Sequence, residues 1–196
     1  MITLEPGRTA LLVMDLQSDI VSRVGDKAAP VLERAAGVVA AARKAKVPVI
    51  YVVVGFRPGY PELSARNAAF ATVAQGGRFV VATPGSDIAP AVLPEEGDII
   101  VVKHRVSAFA GTDMEMILRA KGVDTLVLLG IATGGVILST VRHGADADYR
   151  LVVVKDCCTD ADEEVHRVLT EKILVRQATV MSASEVISAL ASSPNG

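Results

Sequence analysis

Six short runs of apolar residues recur along the chain and predict the strands of a sheet. They lie at residues 9–14, 47–54, 99–102, 125–129, 151–154 and 178–181. Within each run, apolar residues mostly follow one another directly and do not alternate with polar ones. This pattern is typical of strands that helices cover on both faces, as in a parallel sheet.

Helical patterns fill the intervals between these runs. Residues 28–46 are rich in alanine and carry apolar side chains at helical spacing. Thr112 followed by Glu115 has the spacing of a capping box, and Ser182 followed by Glu185 repeats it before the last helix. Strands that alternate with helices predict an α/β fold, a three-layer sandwich with a six-stranded, mostly parallel sheet and right-handed crossovers.

The segment between the second and third runs departs from this alternation. Residues 55–98 contain five of the nine prolines, and we expect one short helix there, near residues 63–74. A loop of this length in a compact domain is usually functional or a contact surface for a partner. No repeat or linker interrupts the chain, so we expect a single domain over residues 1–196.

Composition narrows the classes of function. The net charge of −2, with four Phe, three Tyr and no Trp, argues against nucleic-acid binding. The longest uncharged apolar stretch, residues 125–141, is shorter than the roughly 20 residues that a membrane-spanning helix needs. No signal-peptide pattern is visible, and the only two cysteines are adjacent and cannot staple a fold. We therefore expect a cytoplasmic protein.

Two charged residues stand at the ends of predicted strands. Asp15 directly follows the first run, and Lys103 directly follows the third. The carboxyl ends of parallel strands meet at one edge of the sheet, where α/β proteins bind their ligands. A carboxylate is costly to bury there unless it is paired, and Lys103 is the obvious partner. The pair is either catalytic or a structural ion pair.

A glycine-rich turn follows the fourth run. Residues 130–136 read G-I-A-T-G-G-V. Glycines at these positions permit close backbone approach and leave N–H groups available to an anion or oxyanion. The turn is neither a dinucleotide fingerprint nor a Walker loop, because Ala132 occupies the middle glycine position and no Gly-Lys-Ser/Thr follows. Close packing of a helix on a strand is the alternative explanation.

Three longer motifs carry a resemblance to a known family. They are A-L-L-V-M-D-L-Q at residues 10–17, V-V-K-H-R-V-S-A-F-A-G-T at 101–112 and L-L-G-I-A-T-G-G-V-I-L-S-T at 128–140. Together they resemble the isochorismatase-like hydrolase superfamily over about residues 8–187. The resemblance implies the strand order 3-2-1-4-5-6, hydrolysis of a small-molecule substrate and assembly into homodimers or homotetramers, for which residues 55–98 are the candidate contact surface.

The resemblance also implies roles for particular residues. The family's amidohydrolases use an Asp-Lys-Cys triad, whose Asp and Lys correspond to Asp15 and Lys103. The position of the nucleophilic Cys, six residues after Gly130, is occupied by Val136. The family commonly has a cis peptide bond before the residue that is Ala132 here, so the N–H groups of Ala132 and Val136 are expected to form an oxyanion hole.

Further site residues and cofactors follow from the same comparison. Nicotinamidases of the superfamily hold a divalent metal through Asp and His residues in the loop after the second strand. Residues 55–67 contain neither, and the three histidines are scattered, so we expect no metal and no other cofactor. Candidate substrate contacts are Gln17, Arg57 and Thr133. Arg57 could bind a substrate carboxylate through a bidentate contact, or it could be a solvated surface residue.

Two functions remain open at this point. The first is a hydrolase without a cysteine nucleophile, as in isochorismatases, which hydrolyse a vinyl ether; Asp15 would be its general acid/base and Lys103 would stabilise the carboxylate. Cys157 or Cys158 could replace the missing thiol, or both could be small buried apolar residues. The second is a catalytically degenerate family member that binds a small ligand or acts as a subunit without turnover.

Overall fold

The computed structural model describes residues 3–192 and places the strands in one parallel sheet. The strands are β1 (Thr9–Met14), β2 (Val49–Val54), β3 (Ile99–Lys103), β4 (Thr125–Ile131), β5 (Arg150–Thr159) and β6 (Thr179–Met181). Their order across the sheet is β3-β2-β1-β4-β5-β6, so the predicted order and fold class are confirmed. The order reverses at β1 and β4, whose carboxyl ends are therefore adjacent.

Helices cover the sheet on both faces. They are α1 (Ser18–Val21), α2 (Ala28–Lys44), α3 (Ala68–Gln75), α4 (Met114–Ala120), α5 (Leu138–Asp146), α6 (Glu163–Val168) and α7 (Ala183–Ala191). Side chains alternate along β1: Leu11 and Val13 pack with α2 and α7, whereas Leu12 and Met14 pack with α4 and α5. Every residue of β1 is buried, which explains why its sequence is apolar without alternation.

The boundaries of several elements differ from the predicted ones. The helix expected near residues 63–74 is α3, which begins five residues later, at Ala68. The capping box at Ser182 and Glu185 is confirmed. The one at Thr112 and Glu115 is wrong: the Thr112 hydroxyl donates to the Ala108 carbonyl, and the Glu115 carboxylate pairs with Arg119 one turn along.

The fifth strand is much longer than its apolar run. The pairing of β5 with β4 shifts in register after Leu128 and then resumes at Gly130 opposite Cys158. Cys157 and Cys158 therefore lie inside β5, whereas the sequence predicted them beyond its end.

The proline-rich segment 55–98 folds over the carboxyl end of the sheet. Phe56, Phe70, Val73 and Phe79 form a small apolar cluster there with Val54 at the end of β2. Its predicted role as a contact surface for a partner stays a prediction. Across residues 3–192, none of the helices is both long and apolar enough to cross a membrane.

Candidate functional site

A cavity of about 300 Å³ lies at the carboxyl edge of the sheet. It opens where β1, β2, β3 and β4 end, which is the position expected for a ligand in an open α/β sheet. Asp15 and Lys103 line it together with Ala132 and Val136 of the glycine-rich turn. The remaining wall is mostly apolar and includes Ile20, Val24, Val54, Phe70, Val73, Phe79 and Val106.

Asp15 and Lys103 form a buried ion pair inside this cavity. The Lys103 Nζ lies 2.9 Å from Asp15 Oδ2, and the two side chains are 3% and 8% exposed. Lys103 Nζ also donates to the Arg105 carbonyl at 3.1 Å. Asp15 Oδ1 has no hydrogen-bond partner among residues 3–192, although it is buried. One carboxylate oxygen is thus held by Lys103, and the other is left for a ligand or a proton.

The backbone at Asp15 is held in an uncommon conformation. Its φ is +56°, in the left-handed region that residues with a Cβ rarely adopt, and its N–H donates to the Val52 carbonyl at 2.8 Å. The neighbouring β4 backbone approaches closely, because a Cβ at Gly130 would lie 2.0 Å from the Met14 carbonyl oxygen. Such strain is characteristic of functional sites.

The pKa of Asp15 lies above its usual range. Burial of the carboxyl group is the main cause, since it disfavours the charged form more than the attraction of Lys103 favours it. A larger fraction of Asp15 is therefore protonated at a given pH than of an ordinary aspartate. This is the condition that a general acid needs.

The glycine-rich turn forms one wall of the cavity. The Ile131–Ala132 peptide bond is cis, as the resemblance implied. The Ala132 carbonyl accepts from the Gly135 N–H at 3.0 Å, and the tight turn Thr133–Ile137 continues into α5 only from Leu138. Ala132 and Val136 both line the cavity that contains the Asp15–Lys103 pair.

Gln17 does not line the cavity. Its side chain is buried, and the amide donates to the carbonyls of Val54 at 3.0 Å and Ser86 at 2.9 Å. The Oε1 atom accepts from the Val54 N–H at 2.8 Å. Gln17 thus fastens the segment 55–98 to the end of β2. Because both amide hydrogens are used in this way, the geometry does not support its expected direct contact with a substrate.

Arg57 and Thr133 also lie outside the cavity wall. The Arg57 guanidinium is 70% exposed and pairs with Glu62 at 2.6 Å. The Thr133 hydroxyl is buried and lies 2.8 Å from Nδ1 of His166, whose pKa is lowered mainly by burial. The expected contact of these two side chains with a substrate therefore stays a prediction.

The two cysteines are not placed to act as nucleophiles either. Cys157 and Cys158 are buried on opposite faces of the sheet, and neither lines the cavity. Burial raises the pKa of both thiols, that of Cys158 to about 12. Within the described part of the chain, the cavity wall contains no Cys, Ser or Thr at all.

Several cavity residues were missed by the sequence reasoning. Arg23 lies at the mouth, eight residues after Asp15, and Asp160 directly follows β5. Both could have been found by considering every polar residue in the segment after each strand, not only the first. Phe70 and Phe79 come from the proline-rich segment 55–98. The hydrophobic pattern of that segment does not indicate which of its residues line a cavity.

Among residues 3–192 there is no group of three or more His, Cys, Asp or Glu side chains placed to hold a metal ion.

Comparisons find similar proteins over nearly the whole chain. The family model of the Isochorismatase domain matches residues 9–185. The chain is 33% identical over 205 residues to the uncharacterized isochorismatase family protein YecD of Escherichia coli O157:H7, with 97% of this chain and 100% of the relative covered. It is 36% identical over 188 residues to the ureidoacrylate amidohydrolase RutB of Methylobacterium radiotolerans, with 85% and 73% covered.

A solved structure is similar to this chain over nearly its whole length. A cysteine hydrolase from Pseudomonas syringae pv. phaseolicola 1448A superposes on this chain with a TM-score of 0.90 at 26% sequence identity. The superposition covers 98% of this chain and 96% of that one.

Proposed function

The chain belongs to the isochorismatase family, and we propose that it is a hydrolase that acts on a small molecule without a cysteine nucleophile. The observation that carries this proposal is that only one of the two carboxyl oxygens of Asp15 has a partner. Lys103 holds Oδ2 at 2.9 Å, while the buried Oδ1 has no partner among the described residues and belongs to a residue of the cavity wall. Oδ1 is therefore the atom that carries the proton in the reaction.

The composition of the cavity wall supports chemistry that does not pass through a covalent enzyme intermediate. Val136, which stands where the resemblance puts the family's cysteine, is buried and apolar. The lining side chains that remain for chemistry are Asp15, Lys103, Arg23 and Asp160. A carboxyl group with a raised pKa is suited to general acid/base catalysis.

Hydrolysis of a vinyl ether matches these groups. Asp15 Oδ1 donates its proton to the terminal carbon of the C=C–O unit, and the ether oxygen stabilises the resulting oxocarbenium ion. Water adds to the cationic carbon and returns one proton to the Asp15 carboxylate. The hemiketal then collapses to a ketone and an alcohol, so one water is consumed and Asp15 ends protonated, as it began.

Lys103 and the backbone of the turn support this step. Lys103 stabilises the carboxylate that forms when Asp15 gives up its proton, because the two groups are already in contact. Ala132 and Val136 line the same cavity. We assign their N–H groups to the former ether oxygen, on which negative charge develops when the hemiketal collapses and the alcohol leaves.

The test is a substrate panel with matched variants. Vinyl ethers, amides and ureides are incubated with the wild type, with Asp15→Asn and with a control, Asp124→Asn, in which the carboxylate lies at the opposite end of β1. Turnover of vinyl ethers that Asp15→Asn abolishes and Asp124→Asn keeps supports the proposal. Turnover that Asp15→Asn leaves intact contradicts it.

Loss of the nucleophile also favours a second candidate, a family member that binds a small ligand without turnover. The apolar side chain of Val136 in the cavity wall is the observation behind it. This candidate predicts that a small molecule copurifies with the protein and that no compound of the panel is hydrolysed. Turnover of any panel compound would contradict it.

We propose further that the protein forms a cytoplasmic homodimer or homotetramer. Its two cysteines are unpaired, which fits a reducing compartment. Segment 55–98 is the candidate contact surface between copies. Size-exclusion chromatography with light scattering tests the assembly, and a monomer at micromolar concentration would contradict it.

A further inference from the structure

Arg23 occupies the mouth of the cavity and its guanidinium is unpaired. The residue lies in the helical turn Ser22–Lys27 between β1 and α2, its side chain is exposed, and it lines the cavity. No hydrogen bond or ion pair within residues 3–192 involves its guanidinium. An arginine that faces a cavity without a partner has five N–H donors available to a ligand.

The other cations near the site are already engaged. Lys103 contacts Asp15 and the Arg105 carbonyl. The Arg105 guanidinium donates to the carbonyls of Glu62 and His104. Lys27 donates to the Ala161 carbonyl at 3.1 Å and pairs with Glu163. Arg23 is therefore the cation whose charge is not committed elsewhere in this part of the described chain.

Two acidic side chains share the cavity with Arg23: Asp15, which contacts Lys103, and Asp160.

Asp160 is held by the glycine-rich turn. Its Oδ2 accepts from the Gly134 N–H at 2.8 Å, and no ion pair joins it to Arg23 within 4.0 Å. The backbone bond directs Asp160 toward the glycine-rich turn. Its negative charge weakens the field at the cavity, so it opposes an anionic ligand without removing the donors of Arg23.

The remaining surface of the cavity is apolar. Ile20 and Val24 lie in the same segment as Arg23, and Phe70, Val73 and Phe79 of segment 55–98 complete the apolar lining. Ile20 packs against the cluster that these three residues form. A ligand that fits this space has an apolar body, with polar groups only where Asp15 and Arg23 reach it.

We infer that Arg23 determines specificity by binding an anionic group, most simply a carboxylate, of a substrate whose reactive bond lies at Asp15. The planar guanidinium matches a carboxylate in a bidentate contact. This role replaces the one that the sequence suggested for Arg57, whose side chain pairs with Glu62 outside the cavity. The inference deepens the proposed function and rests on it for the position of the reactive bond.

Binding of matched probes tests this inference without requiring turnover. Benzoate and benzamide share a flat apolar body and differ in charge, and their dissociation constants are measured by calorimetry. We expect the wild type to bind benzoate about tenfold more tightly than benzamide. Arg23→Gln should remove this preference, Arg23→Lys should keep part of it, and added salt should weaken benzoate binding selectively.

Two further variants locate the effect. Arg176→Gln removes the same charge from an exposed arginine away from the cavity and should leave both constants unchanged. Asp160→Asn should tighten benzoate binding, because it removes the opposing charge and keeps an acceptor for the Gly134 N–H. A wild type that binds neither probe or binds both equally, or a preference that survives in Arg23→Gln, overturns the inference. Failure of the Asp15→Asn activity test leaves this result standing, so the two failures are distinguishable.

Discussion

An ion pair stands at each end of β1, and the two pairs are built differently. At the amino end, Arg8 pairs with Asp124, and their side chains are 63% and 37% exposed. At the carboxyl end, Asp15 pairs with Lys103, and their side chains are 8% and 3% exposed. Both pairs join β1 to another strand of the sheet, so the difference between them is their environment.

The two environments shift the pKa of the carboxyl group in opposite directions. The hydrogen bond from Arg8 is the main cause that lowers the pKa of Asp124, which keeps contact with water. Burial is the main cause that raises the pKa of Asp15, despite a lysine in contact with it. An exposed charge pair contributes little to stability, whereas burial of a similar pair in an apolar cavity raises the pKa of its carboxyl group.

The two carboxyl groups also differ in how many partners they have. Asp124 accepts from Arg8 Nε at 2.7 Å and from the Thr125 hydroxyl at 2.8 Å, so both of its oxygens are used. Asp15 uses only Oδ2, and Oδ1 has no partner among the described residues. An unsatisfied buried oxygen lowers stability unless a ligand, water or proton satisfies it.

The largest expected effect is on activity at the carboxyl end. Asp15→Asn should lower turnover of the substrate that the panel identifies by about 10² to 10⁴, the usual contribution of a general acid/base. Asp124→Asn should leave turnover unchanged because Asp124 lies at the other end of the strand. Initial rates at saturating substrate measure both. An equal loss of turnover in Asp15→Asn and Asp124→Asn would contradict a specific catalytic role for Asp15.

The next effect is on stability. Lys103→Met should lower the free energy of unfolding by about 3–5 kcal/mol, because it leaves the Asp15 carboxyl group buried without its charge partner. Arg8→Gln, which breaks the exposed pair, should have a much smaller effect. Urea unfolding at neutral pH gives both values. A loss at Arg8 as large as that at Lys103 would show that burial does not separate the pairs.

A smaller effect should appear in the pH dependence of stability, with opposite signs at the two ends. The raised pKa of Asp15 means that its contribution is present below its ordinary value of 3.8 and is lost as the pH rises through the folded-state pKa. The lowered pKa of Asp124 means that its contribution is present above 3.8 and is lost as the pH falls.

Urea unfolding from pH 3 upward, with the wild type compared with Asp15→Asn and with Asp124→Asn, checks these signs. The advantage of the wild type over Asp15→Asn should shrink as the pH rises, and its advantage over Asp124→Asn should grow. Parallel curves for the two variants would contradict the assigned shifts.

The ends of the strands were predictable from sequence to different degrees. The bounds of β1 agree with its apolar run because both faces of the strand are buried. In β5, Lys155 and Asp156 interrupt the apolar run, yet the strand continues for three more residues. Asp156 is tolerated there because its carboxylate accepts from the Ala183 N–H at the start of α7, a contact between segments that no local pattern reveals.

The geometry of the candidate site was predictable where strand ends define it. Asp15 and Lys103 were expected to lie together because the carboxyl ends of parallel strands share one edge of the sheet, and their side chains meet there although β2 separates their strands. The direction of a side chain after the strand was not predictable. Gln17 follows Asp15 by two residues but turns to the backbone of Val54, whereas Arg23, in a segment without periodicity, reaches the cavity.

The smallest expected effect is on the reactivity of a thiol introduced at the carboxyl end of β1, in the cavity wall. Val136→Cys would place a thiol in the cavity wall that Lys103 also lines, in the turn that precedes α5. The positive charge and the helix N-terminus should lower its pKa from about 8.5, whereas burial raises those of Cys157 and Cys158. The change in side-chain volume is small, so we expect a stability loss of less than about 1.5 kcal/mol.

The introduced thiol should therefore react with iodoacetamide near neutral pH several-fold faster than either native cysteine. Peptide mapping by mass spectrometry follows the three sites in one sample, and the wild type gives the background at Cys157 and Cys158. Adding Lys103→Met to Val136→Cys should slow the labelling of the folded protein, because the cation in the cavity is lost. If the introduced thiol labels no faster than the buried pair at any pH, the wall at Val136 does not share the electrostatic environment of Asp15, and its correspondence to the family's cysteine position is wrong.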